Sequence, residues 1–172
     1  MRLKNHEVQS IRETGQFVLR DDEEHGTIVL EIQALPPDFD EETEEQLPTP
    51  QPKRLGPERD KKGRVVLGTD GKPVIRYDES DSAYRESRRE HTKLQAVKIV
   101  LDGVRPGQME FSTAKPEGGD WPAFYRDALL EMKAFGFSLG DILDLVKAIT
   151  NLSNIGEEEV KRAEEVFFEA AS

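Results

Sequence analysis

The stretch AFGFSLGDILDLVKAITNLS, residues 134–153, is the most apolar passage in an otherwise very polar chain. Ser138 is followed three residues later by Asp141, a spacing that resembles a capping box, so we predict that a short helix begins here. Its apolar residues spread around more than half of the helix circumference instead of forming one stripe. Neighbouring helices can cover one face, and the remaining apolar surface must contact other parts of the chain or another protein.

Short helices are predicted on both sides of this stretch. Upstream, Asp120 is a helix cap, the apolar residues from Trp121 to Phe135 form one stripe that faces the core, and Gly136 ends the helix. Downstream, residues 154–172 contain an acidic turn followed by apolar residues in line, which predicts a last helix whose first turn suits the helix dipole.

A longer helix is predicted before these three, over residues 81–102, with about five to six turns. Its first half is charged and its second half is apolar, so we expect only the second half to be deeply buried. Gly103 is expected just past the end of this helix, where glycine is a common terminator.

Two β-hairpins are predicted ahead of the helices. Residues 17–19 and 27–32 are rich in β-branched and aromatic side chains and flank a polar loop that ends at Gly26. Residues 65–67 and 74–77 flank an Asp-Gly pair, which favours a turn because glycine adopts positive φ without steric cost.

The order of the elements predicts an α+β protein, with N-terminal β-hairpins and a Pro-rich acidic linker followed by a mostly helical C-terminal part of one long and three short helices. The linker, residues 36–57, holds six of the ten prolines and too few apolar residues to offset the entropy of ordering. The predicted domains are an N-terminal β-hairpin region (1–35), a Pro-rich acidic linker or loop (36–57), a second β-hairpin (58–78) and a helical domain (79–172).

Composition narrows the classes of partner. The chain has 172 residues, of which 35% are hydrophobic and 34% charged, and its formal net charge is −11. Phosphate backbones and anionic membranes are repelled by such a charge, so we expect neither a nucleic-acid nor a membrane partner. Because the chain has no cysteine, no signal-like apolar segment and no run long enough to span a bilayer, we expect a soluble protein of the cell interior.

No residue pattern indicates a catalytic, cofactor-binding or metal site. The histidines His6, His25 and His91 lie far apart in the sequence and form none of the usual ligand spacings. The chain contains no G-x-S-x-G nucleophile motif, and the glycines of LGTDGKP lack the spacing of a phosphate-binding loop. We therefore expect a protein that is not an enzyme, with an enzyme of unrecognised site as a remote alternative.

Association with another protein is the remaining function. The apolar surplus of the opening stretch gives four candidate partner-binding residues, Phe137, Leu139, Leu143 and Val146. Phe168 is the fifth candidate, because consecutive residues on a helix point about 100 degrees apart and Phe167 occupies the predicted core stripe.

Two long passages of the chain, both after residue 72, also carry a family resemblance. They read PVIRYDESDSAYRESRREHTKLQAVKIVLDG and FYRDALLEMKAFGFSLGDILDLVKAITNLSNIGEEEVKRAEEVFF. Their order, with D-x-x-Y opening a charged-then-apolar helix and an acidic last helix after LSNIGEEE, resembles the tail assembly chaperones of tailed bacteriophages. The resemblance covers a little over half of the chain and consists of patterning and short phrases.

The resemblance implies a non-enzymatic protein of the host cytoplasm that binds the tape measure protein, helps to recruit tail tube subunits and is absent from the mature virion. No cofactor is implied, and a homo-oligomer is compatible with such a role. The alternative is a permanent structural or adaptor subunit of a phage particle, in the head, neck or baseplate.

Overall fold

The computed structural model describes residues 2–3, 6–7, 13–22 and 26–153. It has an α+β fold of antiparallel strand pairs and helices. The chain divides into a main unit, Met1–Pro48 with Thr92–Ser172, and a second unit, Thr49–His91. The described elements are β1 (Arg2–Leu3), β2 (His6–Glu7), β3 (Thr14–Asp22), β4 (Gly26–Gln33), α1 (Phe39–Gln46), β5 (Lys53–Pro57), β6 (Ile75–Asp78), α2 (Ser82–Gly103), α3 (Trp121–Ala134) and α4 (Leu139–Leu152).

The first predicted hairpin is present in the main unit. β3 and β4 pair antiparallel, with Phe17 opposite Leu30, and Gly26 has a φ of 71° where β4 begins. Leu30 and Ile32 alternate with more exposed residues and are buried, as a strand with one face on the core requires. Val104, just after α2, forms a bridge with Ile32 and so ties the end of that helix to the hairpin.

The structure corrects the predicted linker. Part of residues 36–57 forms the helix α1, and Phe39 and Leu47 at its two ends are buried in the hydrophobic core. The Glu42 carboxylate lies 3.3 Å from the Nζ of Lys98, a buried cation on α2. The acidic composition therefore did not prevent ordering, because two apolar side chains and an ion pair hold this helix to the core.

The long predicted helix is present as α2. Its first half is largely exposed, whereas Leu94, Val97 and Val100 in its second half are buried, as the charge pattern predicts. Gly103 differs from the prediction, because it is the last residue of the helix and its φ is not positive. Its lack of a side chain serves packing instead, since Ile149 of α4 occupies the space that a Cβ atom would need.

The predicted caps of α3 and α4 are confirmed. The Asp120 carboxylate accepts a hydrogen bond of 3.0 Å from the Ala123 amide at the start of α3. At α4, the Asp141 amide donates to the Ser138 Oγ at 3.1 Å, and the Ser138 amide donates to the Asp141 carboxylate at 2.6 Å. This reciprocal pair is the capping box expected from the sequence. The last predicted helix lies beyond residue 153, outside the described residues.

The second predicted hairpin is confirmed at its Asp-Gly turn, where Leu67 bridges antiparallel with Pro73 and the Gly68 amide donates to the Lys72 carbonyl at 2.8 Å. The prediction missed a third segment, because β6 pairs antiparallel with β5, which falls in the predicted linker. Residues 65–67 join the β5 and β6 segments through single bridges, and the Glu58, Val66 and Val74 backbones form a closed ring of hydrogen bonds of 2.7–3.0 Å. The second unit therefore has three extended passes of chain where the sequence predicts two.

The close approach of α2 and α4 gives a first prediction. In Gly103→Ala, the new Cβ atom would lie 2.6 Å from the Ile149 Cδ1, so one helix must shift. We expect this change to lower the free energy of unfolding by about 1–3 kcal/mol, measured by urea denaturation. Gly140→Ala on α4 is the matched control, because its nearest neighbour would be the Ser138 Oγ at 3.5 Å. Equal stability of the two variants would contradict the packing described.

Candidate functional site

Most of the surface predicted to bind a partner is core. Leu143 and Val146 on α4 are 3% and 1% exposed, which corrects their prediction as contact residues. The reason is that α4 also contacts β3 and β4, and the strands cover the apolar surface that neighbouring helices leave open. Leu139 is half-buried against the core, and Phe168 lies outside the described residues. Phe137 is 8% exposed and marks the edge of a different feature.

This feature is a groove in the main unit, between the β3–β4 hairpin, the connection after α2 and the C-terminal end of α3. Its cavity volume is about 400 Å³. We call it the apolar groove, and its apolar lining residues are Leu19, Ile28, Leu30, Met109, Phe111, Met132, Phe135 and Phe137.

The turn after α3 shapes one side of the apolar groove. Gly136 has a φ of 102°, the Phe137 amide donates to the Met132 carbonyl at 3.0 Å, and the Gly136 amide donates to the Lys133 carbonyl at 3.0 Å. These two bonds define a Schellman motif, in which a positive φ reverses the chain at the end of a helix. The reversal brings the ring centroids of Phe135 and Phe137 to 6.3 Å. Phe137 thereby lines the groove while Phe135 stands at its rim.

Phe135 is the residue that the sequence analysis misplaced. It was predicted to end the core stripe of α3, yet it is 78% exposed, the highest value among the large hydrophobic residues that the structure describes. The signal was its position directly before Gly136, where the helix has already ended. A large aromatic ring at the open edge of an apolar groove is typical of a surface that contacts another molecule.

Glu131 holds the opposite wall of the apolar groove in place. Its carboxylate accepts hydrogen bonds from the Ser112 amide at 2.7 Å, from the Thr113 amide at 2.8 Å and from the Thr113 hydroxyl. These bonds, chiefly those from the Thr113 hydroxyl and the Ser112 amide, lower the pKa of Glu131 below its ordinary value. The connection is thereby fastened to α3, which keeps Met109 and Phe111 in the lining. The sequence does not reveal this anchor, because Glu131 lies 18 residues after Thr113 in the chain.

The charged residues that line the apolar groove are all acidic. Glu110 and Glu131 are the charged residues of its lining, and neither a lysine nor an arginine is among the lining residues. Two methionines in the lining are flexible and polarisable, so the groove can adjust to apolar side chains of different shape. Its chemistry therefore suits an apolar segment with neutral or basic flanks.

No cluster of three or more potential metal ligands occurs among the described residues. His6 and His91 lie in separate elements, β2 and α2, and His25 is outside the described part. In the same part of the chain, no helix has both the length and the apolar character needed to cross a bilayer.

The fold and the apolar groove together define an α+β protein with a surface suited to binding an apolar segment. Comparison with known proteins adds no assignment: no family model matches the chain, and no curated protein or solved structure is significantly similar to it.

The burial of the predicted contact residues can be measured. We expect Leu143→Ala to cost about 2–5 kcal/mol of stability, because it opens a cavity in a packed core. Phe135→Ala should cost less than about 0.5 kcal/mol, because its ring is mostly in solvent. Urea denaturation followed by circular dichroism compares the two variants. A larger loss for Phe135→Ala would show that the core has been assigned to the wrong residues.

The Glu131 anchor predicts a particular dependence on pH. A carboxyl group whose pKa is lower in the folded state stabilises the fold above its unfolded pKa, and this contribution disappears as the pH falls through the folded value. Wild-type stability should therefore fall more steeply than that of Glu131→Gln when the pH drops below the ordinary value of 4.5. Urea midpoints across this range test it, and parallel curves for the two proteins would refute the anchor.

Proposed function

We propose that the chain is a non-enzymatic tail assembly chaperone of a tailed bacteriophage, which binds the tape measure protein and helps to recruit tail tube subunits. It acts in the host cytoplasm and leaves before the virion matures. The observation that carries this proposal is the apolar groove with Phe135 at its rim. The sequence resemblance, which extends from α2 to the C-terminal residues, adds to it.

The apolar groove supports the proposal through the chemistry of its occupant. A helix that lays its apolar face into an apolar groove is a recurrent mode of protein recognition. The tape measure protein of a tail is long and helical, so the resemblance implies many apolar helical segments that need cover before assembly. Phe135, Phe111 and Met109 supply apolar contacts of this kind.

The net charge of the chain supports the same role. A formal charge of −11 opposes non-specific aggregation through the exposed apolar surface. The same charge attracts basic flanks of an apolar segment, and Glu110 and Glu131 concentrate it at the apolar groove. The chaperone thus keeps its bound partner in solution while it covers the partner's apolar surface.

Co-expression with the tape measure protein encoded in the same genome tests the proposal. Wild-type chain should keep the tape measure protein soluble and co-purify with it, whereas Phe135→Asp should reduce the recovered complex by about tenfold or more. Leu130→Asp is the matched control, because Leu130 is also on α3 and 58% exposed but does not line the apolar groove. Equal loss in both variants, or no binding by the wild-type chain, would refute the proposal.

A permanent subunit of the particle gives a different result in one further measurement. Purified mature virions should lack the chain if it is a chaperone. A fixed stoichiometric amount in virions would instead assign it to the head, neck or baseplate.

A further inference from the structure

The second unit carries a surface that the proposed function does not use. The basic arm is the segment from the start of β5 to the end of β6, residues 53–78. Three extended passes of chain are joined there by the ring of hydrogen bonds among Glu58, Val66 and Val74. Such a small sheet buries few side chains, so its side chains are available for contacts outside the arm.

The basic arm has the opposite charge from the remainder of the chain. It contains eight basic and four acidic residues, a net charge of +4, which leaves −15 for all other residues. Three of its four carboxylates hold turns: Asp60 accepts from the Lys62 and Arg64 amides, Asp70 accepts from the Lys72 amide, and Asp78 accepts from the Ser80 amide. Among the described residues, Arg54, Lys61, Lys62 and Arg76 form no ion pair.

The basic arm also exposes apolar side chains. Leu55, Leu67 and Tyr77 are more than half exposed, and Val65 is 38% exposed. They are four of the eight large hydrophobic residues that stand out from the described surface. Arg54 lies directly opposite Tyr77 in the β5–β6 pairing, so a free cation and an aromatic ring share one face. Tyrosine and arginine are both enriched at protein-binding surfaces, so Arg54 beside Tyr77 fits a surface of this kind.

We infer that the basic arm docks on the acidic surface of a second copy of this chain. The remainder of the chain, at −15, supplies the complementary charge. A nucleic acid fits less well, because that same charge repels phosphates and because three of the four exposed apolar residues are aliphatic and cannot stack on bases. The contact joins the basic arm of one copy to the acidic surface of another copy, so it is heterologous. Each copy therefore presents one basic arm and one acidic surface.

Sedimentation velocity of the full chain tests the inference over a range of concentrations. We expect association at about 0.05 M salt that weakens by about tenfold or more at about 0.5 M, because salt screens the charges at the contact. Arg54→Glu with Arg76→Glu should weaken the association at low salt by at least about tenfold. Lys115→Glu with Lys133→Glu is the matched control, because it makes the same change in net charge at exposed residues outside the arm. Circular dichroism establishes that both double variants are folded.

Each other outcome overturns the inference. If the chain sediments as a monomer at every concentration at low salt, the basic arm does not bind a second copy. Equal weakening in the two double variants shows that net charge, and not the basic arm, controls association. Binding of a short DNA or RNA duplex that depends on Arg54 and Arg76 assigns the arm to phosphates instead. The proposed function is tested separately, since Phe135→Asp leaves the basic arm unchanged and the arm variants leave the apolar groove unchanged.

Discussion

Lys98 brings a positive charge into the core of the main unit on the buried face of α2, where only 1% of its side chain is exposed. A buried cation costs several kcal/mol unless it is paired and hydrogen-bonded. The Nζ donates to the Asp102 carboxylate at 2.7 Å, lies 3.3 Å from the Glu42 carboxylate and sits 5.0 Å from the centre of the Phe39 ring. Two of these three partners belong to α1, so the cation requires that helix to be in place.

The polar contacts around Lys98 also include α3. The Tyr125 hydroxyl of α3 donates a hydrogen bond to the Gln46 side chain at the end of α1. Burial raises the pKa of Tyr125, and the nearby charges of Asp102 and Glu42 raise it further. The tyrosine therefore remains a neutral donor at physiological pH, and α1 is fastened to both α2 and α3 by polar contacts inside an apolar core.

Sequence reasoning succeeded where the deciding contacts are local. The caps at Asp120 and Ser138 involve residues three positions away, and the β3–β4 hairpin closes over a short loop, so adjacent residues were sufficient. It failed for α1, which depends on Lys98 more than fifty residues later. It also missed the apolar groove, because Glu131 fixes a wall that lies 18 residues before it. The apolar residues of α4 cover more than one face of the helix because the strands β3 and β4 pack against it, and not because this helix binds a partner protein.

The turn at Gly136 has a consequence for recognising related chains. A backbone angle of 102°, which side chains disfavour, positions both Phe135 and Phe137. Replacement of one apolar residue by another in the lining would preserve the shape of the apolar groove. Distant relatives could therefore have the groove with little sequence identity. We expect related chains to retain a glycine between two large apolar residues. This glycine would lie directly after one helix and before a second helix that begins with a serine cap. Such a pattern is better sought by backbone conformation and spacing than by sequence identity.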